Sequence, residues 1–189
     1  MPDEKALVKE KLLEWEGLLN AYVLPEWDAF PALPLYMDQV IYLMNQYLSL
    51  LPKEGEEKLV TPAMINNYVK LKIIPPPVKK RYGRVHLAFL VMVCVLKQSV
   101  NTSEIRKALP LGLAEQEVQA LYGGFTQVFC QEKAAFIHTV RAAAEPIFQK
   151  DGLPVTRLIF QAATSANLSR LLAQQVLGLY PLPENKKEE

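Results

Sequence analysis

Apolar residues recur at three- and four-residue steps through most of the chain, and that spacing predicts helices. Residues 4–22 carry Leu7, Val8, Leu12, Trp15, Leu18, Leu19 and Tyr22 with Lys and Glu between them, the pattern of an amphipathic helix. Residues 24–35 break it: Pro25, Pro31 and Pro34 exclude a continuous helix, and Trp27 and Phe30 would pin an ordered strap. A second helix is expected from Met37 to about Leu51, with Val40, Ile41, Met44, Tyr47, Leu48 and Leu51 inward. Pro52 and the charged stretch Lys53–Lys58 read as a loop. Thr61-Pro62 then opens a third helix, Thr as N-cap and Pro at the first helical position. This helix runs to about Leu71, with Met64, Ile65, Tyr68 and Val69 toward the core and Asn66, Asn67, Lys70 and Lys72 on or near the opposite side.

Three prolines at 75–77 end that helix, and the basic stretch 78–83 after them is too short and too charged to be core. It predicts a small wing in which Ile73–Ile74 pair with Arg81–Tyr82. A fourth helix, about Arg84 to Lys97, is apolar almost all round, which predicts burial on two sides. Asn101-Thr102-Ser103-Glu104 is a capping sequence for a short helix ending before Pro110. Val118, Leu121, Tyr122, Phe125, Phe129, Phe136, Val140 and Ile147 carry a long helix through 114–149, with a kink expected at Gly123-Gly124 and a bend at Pro146. A turn at 151–154, a last helix from Val155 to Tyr180 and a disordered polar tail at 181–189 complete the chain. The class is therefore all-α with a minimal β wing. It divides into a helix and strap at 1–36, a central domain at 37–110, a C-terminal helical region at 111–180 and the tail.

Net charge is +1, but its distribution is uneven. Between Lys70 and Lys107 stand nine basic residues and one acid, Glu104, a local charge of +8 that leaves −7 elsewhere, mostly before residue 70. Such asymmetry suits a polyanion-binding module on a non-binding body. The two cysteines, Cys94 and Cys130, lie in apolar runs and read as small buried hydrophobes in a reducing compartment. The longest apolar run, Val85 to Leu96, is too short to span a bilayer, and the charged N-terminus lacks the form of a signal peptide, so a cytoplasmic protein is expected. His86 and His138 have no cysteine or carboxylate cluster beside them in sequence, and no metal or cofactor is expected. With no Gly-rich phosphate loop, no nucleophile elbow and four aspartates in all, an enzyme is not expected. Phe125, Phe129, Phe136 and Phe160 could line an effector pocket, but at helical spacing they read as core.

From Thr61 to Ile105 the motifs fall in one order. First comes Thr-Pro-Ala-Met-Ile-Asn-Asn-Tyr-Val-Lys-Leu-Lys-Ile-Ile-Pro-Pro-Pro, then a basic stretch closing on Tyr82, then Arg84-Val-His-Leu-Ala-Phe-Leu, then Glu104-Ile105. This order resembles the DNA-binding domain of MerR-type bacterial regulators, matching at Ile65, Tyr68, Lys70, Ile73, Ile74, Pro75, Pro76, Tyr82, Leu87, Leu90, Glu104 and Ile105. The string Met-Ile-Asn-Asn-Tyr-Val-Lys with Ile-Pro-Pro-Pro is closer still to an uncharacterised bacterial domain-of-unknown-function family, number 1836, itself thought to be MerR-like. Where the MerR pattern has Arg-Tyr-Tyr-Glu, this chain has Asn66, Asn67, Tyr68 and Val69, and the effector-binding cysteines are absent.

The resemblance implies a winged helix-turn-helix, packed on a bundle of the N- and C-terminal helices, that reads double-stranded DNA as a transcription regulator. Helix 62–71 would lie in the major groove with Thr61, Asn66, Asn67, Lys70 and Lys72 as its contacts. Either asparagine could pair with an adenine edge. The wing would set Lys79, Lys80, Arg81 and Arg84 on phosphates, while Tyr68 and Tyr82 pack its base. A homodimer is expected, with the C-terminal helices serving dimerisation or an effector or protein partner, and no membrane. The alternative is a protein-interaction module that keeps the winged scaffold without DNA.

Overall fold

The computed structural model describes residues 4–51, 59–149 and 152–179. These divide into two compact units, one drawn from Met1–Val23 and Gln127–Leu171, the other from Leu24–Thr126 and Leu172–Glu189. The second unit holds the strap at 24–36 and the start of the long helix together with the whole of 37–110. The loop expected at 53–58 falls wholly outside the described residues, as do Asp151 of the expected turn and the tail at 181–189.

The second unit is built on α2 (Met37–Tyr47), α3 (Pro62–Lys70), α4 (Arg84–Leu96) and α5 (Thr102–Ala108), with the start of α6 (Glu115–Ala144). Each begins where the local chemistry allows it. Thr61 Oγ1 accepts from the Met64 N–H at 3.3 Å, and Pro62 occupies the first turn, where its missing N–H costs nothing. Asn101 forms a capping box, its Oδ1 accepting from the Glu104 N–H and its own N–H donating to Glu104 Oε2, both at 3.0 Å. The Tyr36 N–H donates to Gln39 Oε1 at 2.9 Å and opens α2.

Helix α4 is the centre of this unit. Every residue from His86 to Cys94 is buried, as its all-round apolarity predicted. Helix α2 packs on α4 and on α3. Val40 and Met44 from α2 and Leu48 at its C-cap, Ile65 and Tyr68 from α3, and Ile73 and Ile74 after it close the core. The connection from α2 to α3 is tied at its described ends by Asn45, whose Oδ1 accepts from the Leu59 N–H at 2.9 Å while its Nδ2 donates to the Ile41 carbonyl at 2.7 Å.

The strap is ordered, with one 3-10 turn at Trp27–Ala29, and its aromatics pin it as expected. Trp27 and Phe30 are buried against Tyr122, their rings 6.5 and 5.2 Å from its centroid, and Tyr122 Oη donates to the Pro25 carbonyl at 2.7 Å.

The first unit pairs α1 (Glu4–Ala21) antiparallel with the second part of α6. Tyr22 meets Phe129 edge-on at 6.0 Å, Trp15 meets Phe136 likewise at 6.0 Å, and Arg141 Nε donates to Glu16 Oε2 at 3.0 Å. Lys133 Nζ caps the end of α1 on the Tyr22 and Asn20 carbonyls at 2.6 and 3.2 Å. Helix α6 runs unbroken through Gly123-Gly124, where a kink is expected from the sequence, and a 3-10 turn at Glu145–Ile147 ends it at Pro146. The last helix, α7 (Thr156–Leu179), buries no residue.

Two core assignments need correction. Cys130 is exposed, and so are Phe136 and Phe160, while Phe125 and Phe129 are half-buried. Helical spacing shows that apolar residues share a face but not whether anything covers it. Here Phe136 meets Trp15 of α1 edge-on yet stays exposed, and Phe160 stands on α7, which buries nothing.

Candidate nucleic-acid interface

Helix α3 turns one face to the core and another to solvent. Ile65 and Tyr68 are buried, while Asn66, Asn67 and Lys70 are exposed and Thr61, at the cap, is half-buried. Three- and four-residue spacing sets Asn66 and Lys70 on one row, with Asn67 beside them. The helix ends in a Schellman motif. The Ile73 N–H donates to the Tyr68 carbonyl at 2.9 Å and the Lys72 N–H to the Val69 carbonyl at 3.0 Å, with Lys72 at the left-handed position, φ 53°.

The pairing expected between Ile73–Ile74 and Arg81–Tyr82 is not formed. Ile73 and Ile74 are buried, and their N–H groups turn back to the Tyr68 carbonyl. Arg81 pairs instead with Val78, and Tyr82 with Leu35 of the strap, each through two antiparallel hydrogen bonds of 2.8–3.0 Å. The physical reason is the Schellman turn, which commits the Ile73 and Ile74 donors, while triple proline supplies none.

The result is a tight basic hairpin, Val78-Lys79-Lys80-Arg81, with both central residues left-handed at φ 49° and 61°. Lys79, Lys80 and Arg81 are exposed. Arg81 lies 4.6 Å over the Tyr36 ring and its Nη2 donates to Tyr36 Oη at 2.7 Å. Arg84 is half-buried and already engaged. Its Nε donates to the Phe30 carbonyl at 3.1 Å, and its Nη1 lies 3.7 Å from Asp28 Oδ1. At the hairpin's root is a basin of about 610 Å³ lined by Tyr36, Lys79, Arg81, Arg84, His86 and Glu115 among others.

His86 lies near the start of α4, with no cysteine or carboxylate cluster beside it in sequence to mark a role. Its Nδ1 accepts from the Gly83 N–H, and its Nε2 lies 3.0 Å from the Pro76 carbonyl, within hydrogen-bonding distance. One side chain thus clips both ends of the basic segment. Tyr82 stacks edge-on against it at 5.5 Å. Tyr36, which seats Arg81, is the other residue that sequence reasoning missed. The Arg81–Tyr36 and His86–Pro76 contacts join residues on different elements, and no local pattern signals them, whereas the His86–Gly83 bond is a local cap, from the N-cap N–H of α4 to the side chain three residues on.

Tyr68 and Tyr82 are buried, and burial pushes the Tyr68 phenol up to about 12. Cys94 is likewise pushed up to about 12 by burial, an inert thiol rather than a nucleophile. Among the described residues no group of three or more His, Cys, Asp or Glu side chains could hold a metal ion. No described helix is long and apolar enough to cross a membrane.

Residues 25–125, just over half the chain, match the family described as Domain of unknown function (DUF1836), and the chain belongs to that family. No curated protein and no solved structure matches it.

Proposed function

We propose that the chain is a DNA-binding regulator whose reading head is a MerR-like winged helix-turn-helix, with α3 in the major groove and the basic hairpin as its wing on phosphates. The observation that carries this reading is the exposed polar set itself. Asn66, Asn67 and Lys70 on α3 and Lys72, Lys79, Lys80 and Arg81 after it all face solvent within one compact unit. An adaptor that used its own helices to cover this surface would bury them.

On this reading Asn66 and Asn67 present amides to base edges. Lys70, Lys72, Lys79 and Lys80 supply the charge that displaces counterions. Arg81 is pre-ordered on Tyr36, and Arg84 acts mainly as a brace between α4 and the strap, within reach of phosphate through the charge it retains. The protein acts as a homodimer on two half-sites.

Fluorescence anisotropy on a duplex from the protein's own promoter region, against a scrambled duplex, tests the proposal. The expected result is preference for the first duplex, relaxed by Asn66→Ala/Asn67→Ala and weakened on both duplexes by Lys79→Ala/Lys80→Ala/Arg81→Ala. Equal, weak binding of both duplexes, unmoved by either variant, would contradict it and point to a protein partner for the same surface.

A further inference from the structure

Three non-glycine residues among those described have left-handed backbones, Lys72, Lys79 and Lys80, and all three are lysines. Each sits where another residue is physically preferred. Lys72 is the residue after the C-cap of α3 in a Schellman motif, a position that glycine usually fills because a Cβ there crowds the backbone. Lys79 and Lys80 are the two central residues of a hairpin closed by Val78 and Arg81. With φ positive at both, that turn favours Asn-Gly. In all three cases the ammonium stem is exposed and makes no ion pair among the described residues. Packing therefore does not explain lysine, and the backbone disfavours it.

We infer that Lys72, Lys79 and Lys80 are held at a cost in stability because together they form the contact with the phosphate backbone of duplex DNA, the charge-reading, sequence-blind part of the interface. The inference rests on the DNA-binding reading and deepens it. It assigns the larger share of affinity and salt dependence to these three lysines, with Lys70 adding charge from the outer face of α3, where the asparagines make the sequence choice. Lys70 and Lys97 are exposed too but stand on ordinary backbone, so nothing is spent to keep a lysine there, and other cations of the segment are already engaged. Arg81 is occupied by Tyr36, Arg84 by Phe30 and Asp28, and Lys107 donates to the Leu177 carbonyl at 3.5 Å.

Two triple variants separate charge from backbone. Lys72→Gly/Lys79→Asn/Lys80→Gly removes the charges and relieves the backbone; Lys72→Gln/Lys79→Gln/Lys80→Gln removes the charges alone. Both are compared with wild type by thermal denaturation and by titration into a fluorescein-labelled duplex from the promoter region across 50–300 mM salt. The Gly/Asn/Gly variant is expected to melt about 2–6 °C higher. The glutamine variant is expected to melt within about a degree of wild type. Both should bind at least tenfold more weakly at the lower salt, with a salt slope shallower by about 3 per protomer.

If wild type binds the duplex and both variants bind with the same affinity and slope, the inference is wrong while the DNA-binding reading stands. A lower melting point for the Gly/Asn/Gly variant also overturns it, since the lysines would then cost nothing. If wild type binds no duplex, or binds polyglutamate in its place, the reading and the inference fall together.

Discussion

His86 engages both ring nitrogens, one on each side of the basic segment, a demand that few other side chains could meet. Replacing it by Ala leaves the Gly83 N–H and the Pro76 carbonyl without their partner in a part-buried site, at a cost of about 1–3 kcal/mol. Asn could replace at most one of the two bonds. The His86→Ala variant is expected to show a lower melting temperature and faster amide exchange at Gly83; unchanged exchange there would mean that the clip is not what holds the segment. Tyr68 presents the opposite case. Its hydroxyl is buried, and among the described residues it has no hydrogen-bond partner. Tyr68→Phe removes an unsatisfied group without changing the packing, so stability is expected to stay level or rise by up to about 1 kcal/mol, read by urea denaturation. A loss of more than that would reveal a partner for the hydroxyl.

At the scale of elements, the helix starts are local chemistry and were legible as such. Thr61-Pro62 and Asn101 through Glu104 place caps within a four-residue window, and the observed caps use those same atoms. Thr61→Ala is expected to cost about 1 kcal/mol by chemical denaturation, through loss of the bond to the Met64 N–H. The hairpin was legible only in part. A basic turn between triple proline and Tyr82 was readable, but its partner was not, because Leu35 is remote in sequence and the strap carries no strand periodicity. The Schellman motif after α3 was hidden for a related reason. A lysine stands where glycine would have announced it. Positions that break local preference, Lys72 above all, are thus among those that a sequence hides.

Across the whole molecule, the all-helical class could be read from periodicity, while which apolar faces find a cover could not. Cys94 and Cys130 sit in similar apolar runs, yet one is buried within α4 and the other exposed on α6. The buried titratable groups also make stability depend on pH. Tyr68 and Cys94 are both pushed up to about 12 by burial, from ordinary values of 10.0 and 9.0. The unfolded chain releases these protons first. Their contribution to stability is therefore intact below about pH 9 and lost as pH rises toward 12. Melting temperature is expected to fall across that range, and to fall less in a Cys94→Ala variant measured against its own value at pH 8. Equal slopes would show that the thiol does not couple to folding. The central claim, that the outer face of α3 and the basic hairpin are the binding surface, is tested most directly by backbone amide chemical shifts as promoter duplex is added. The account predicts the largest changes at residues 66–72 and 78–84. Changes confined to α1, the second part of α6 or α7, or none at saturating duplex, would contradict it.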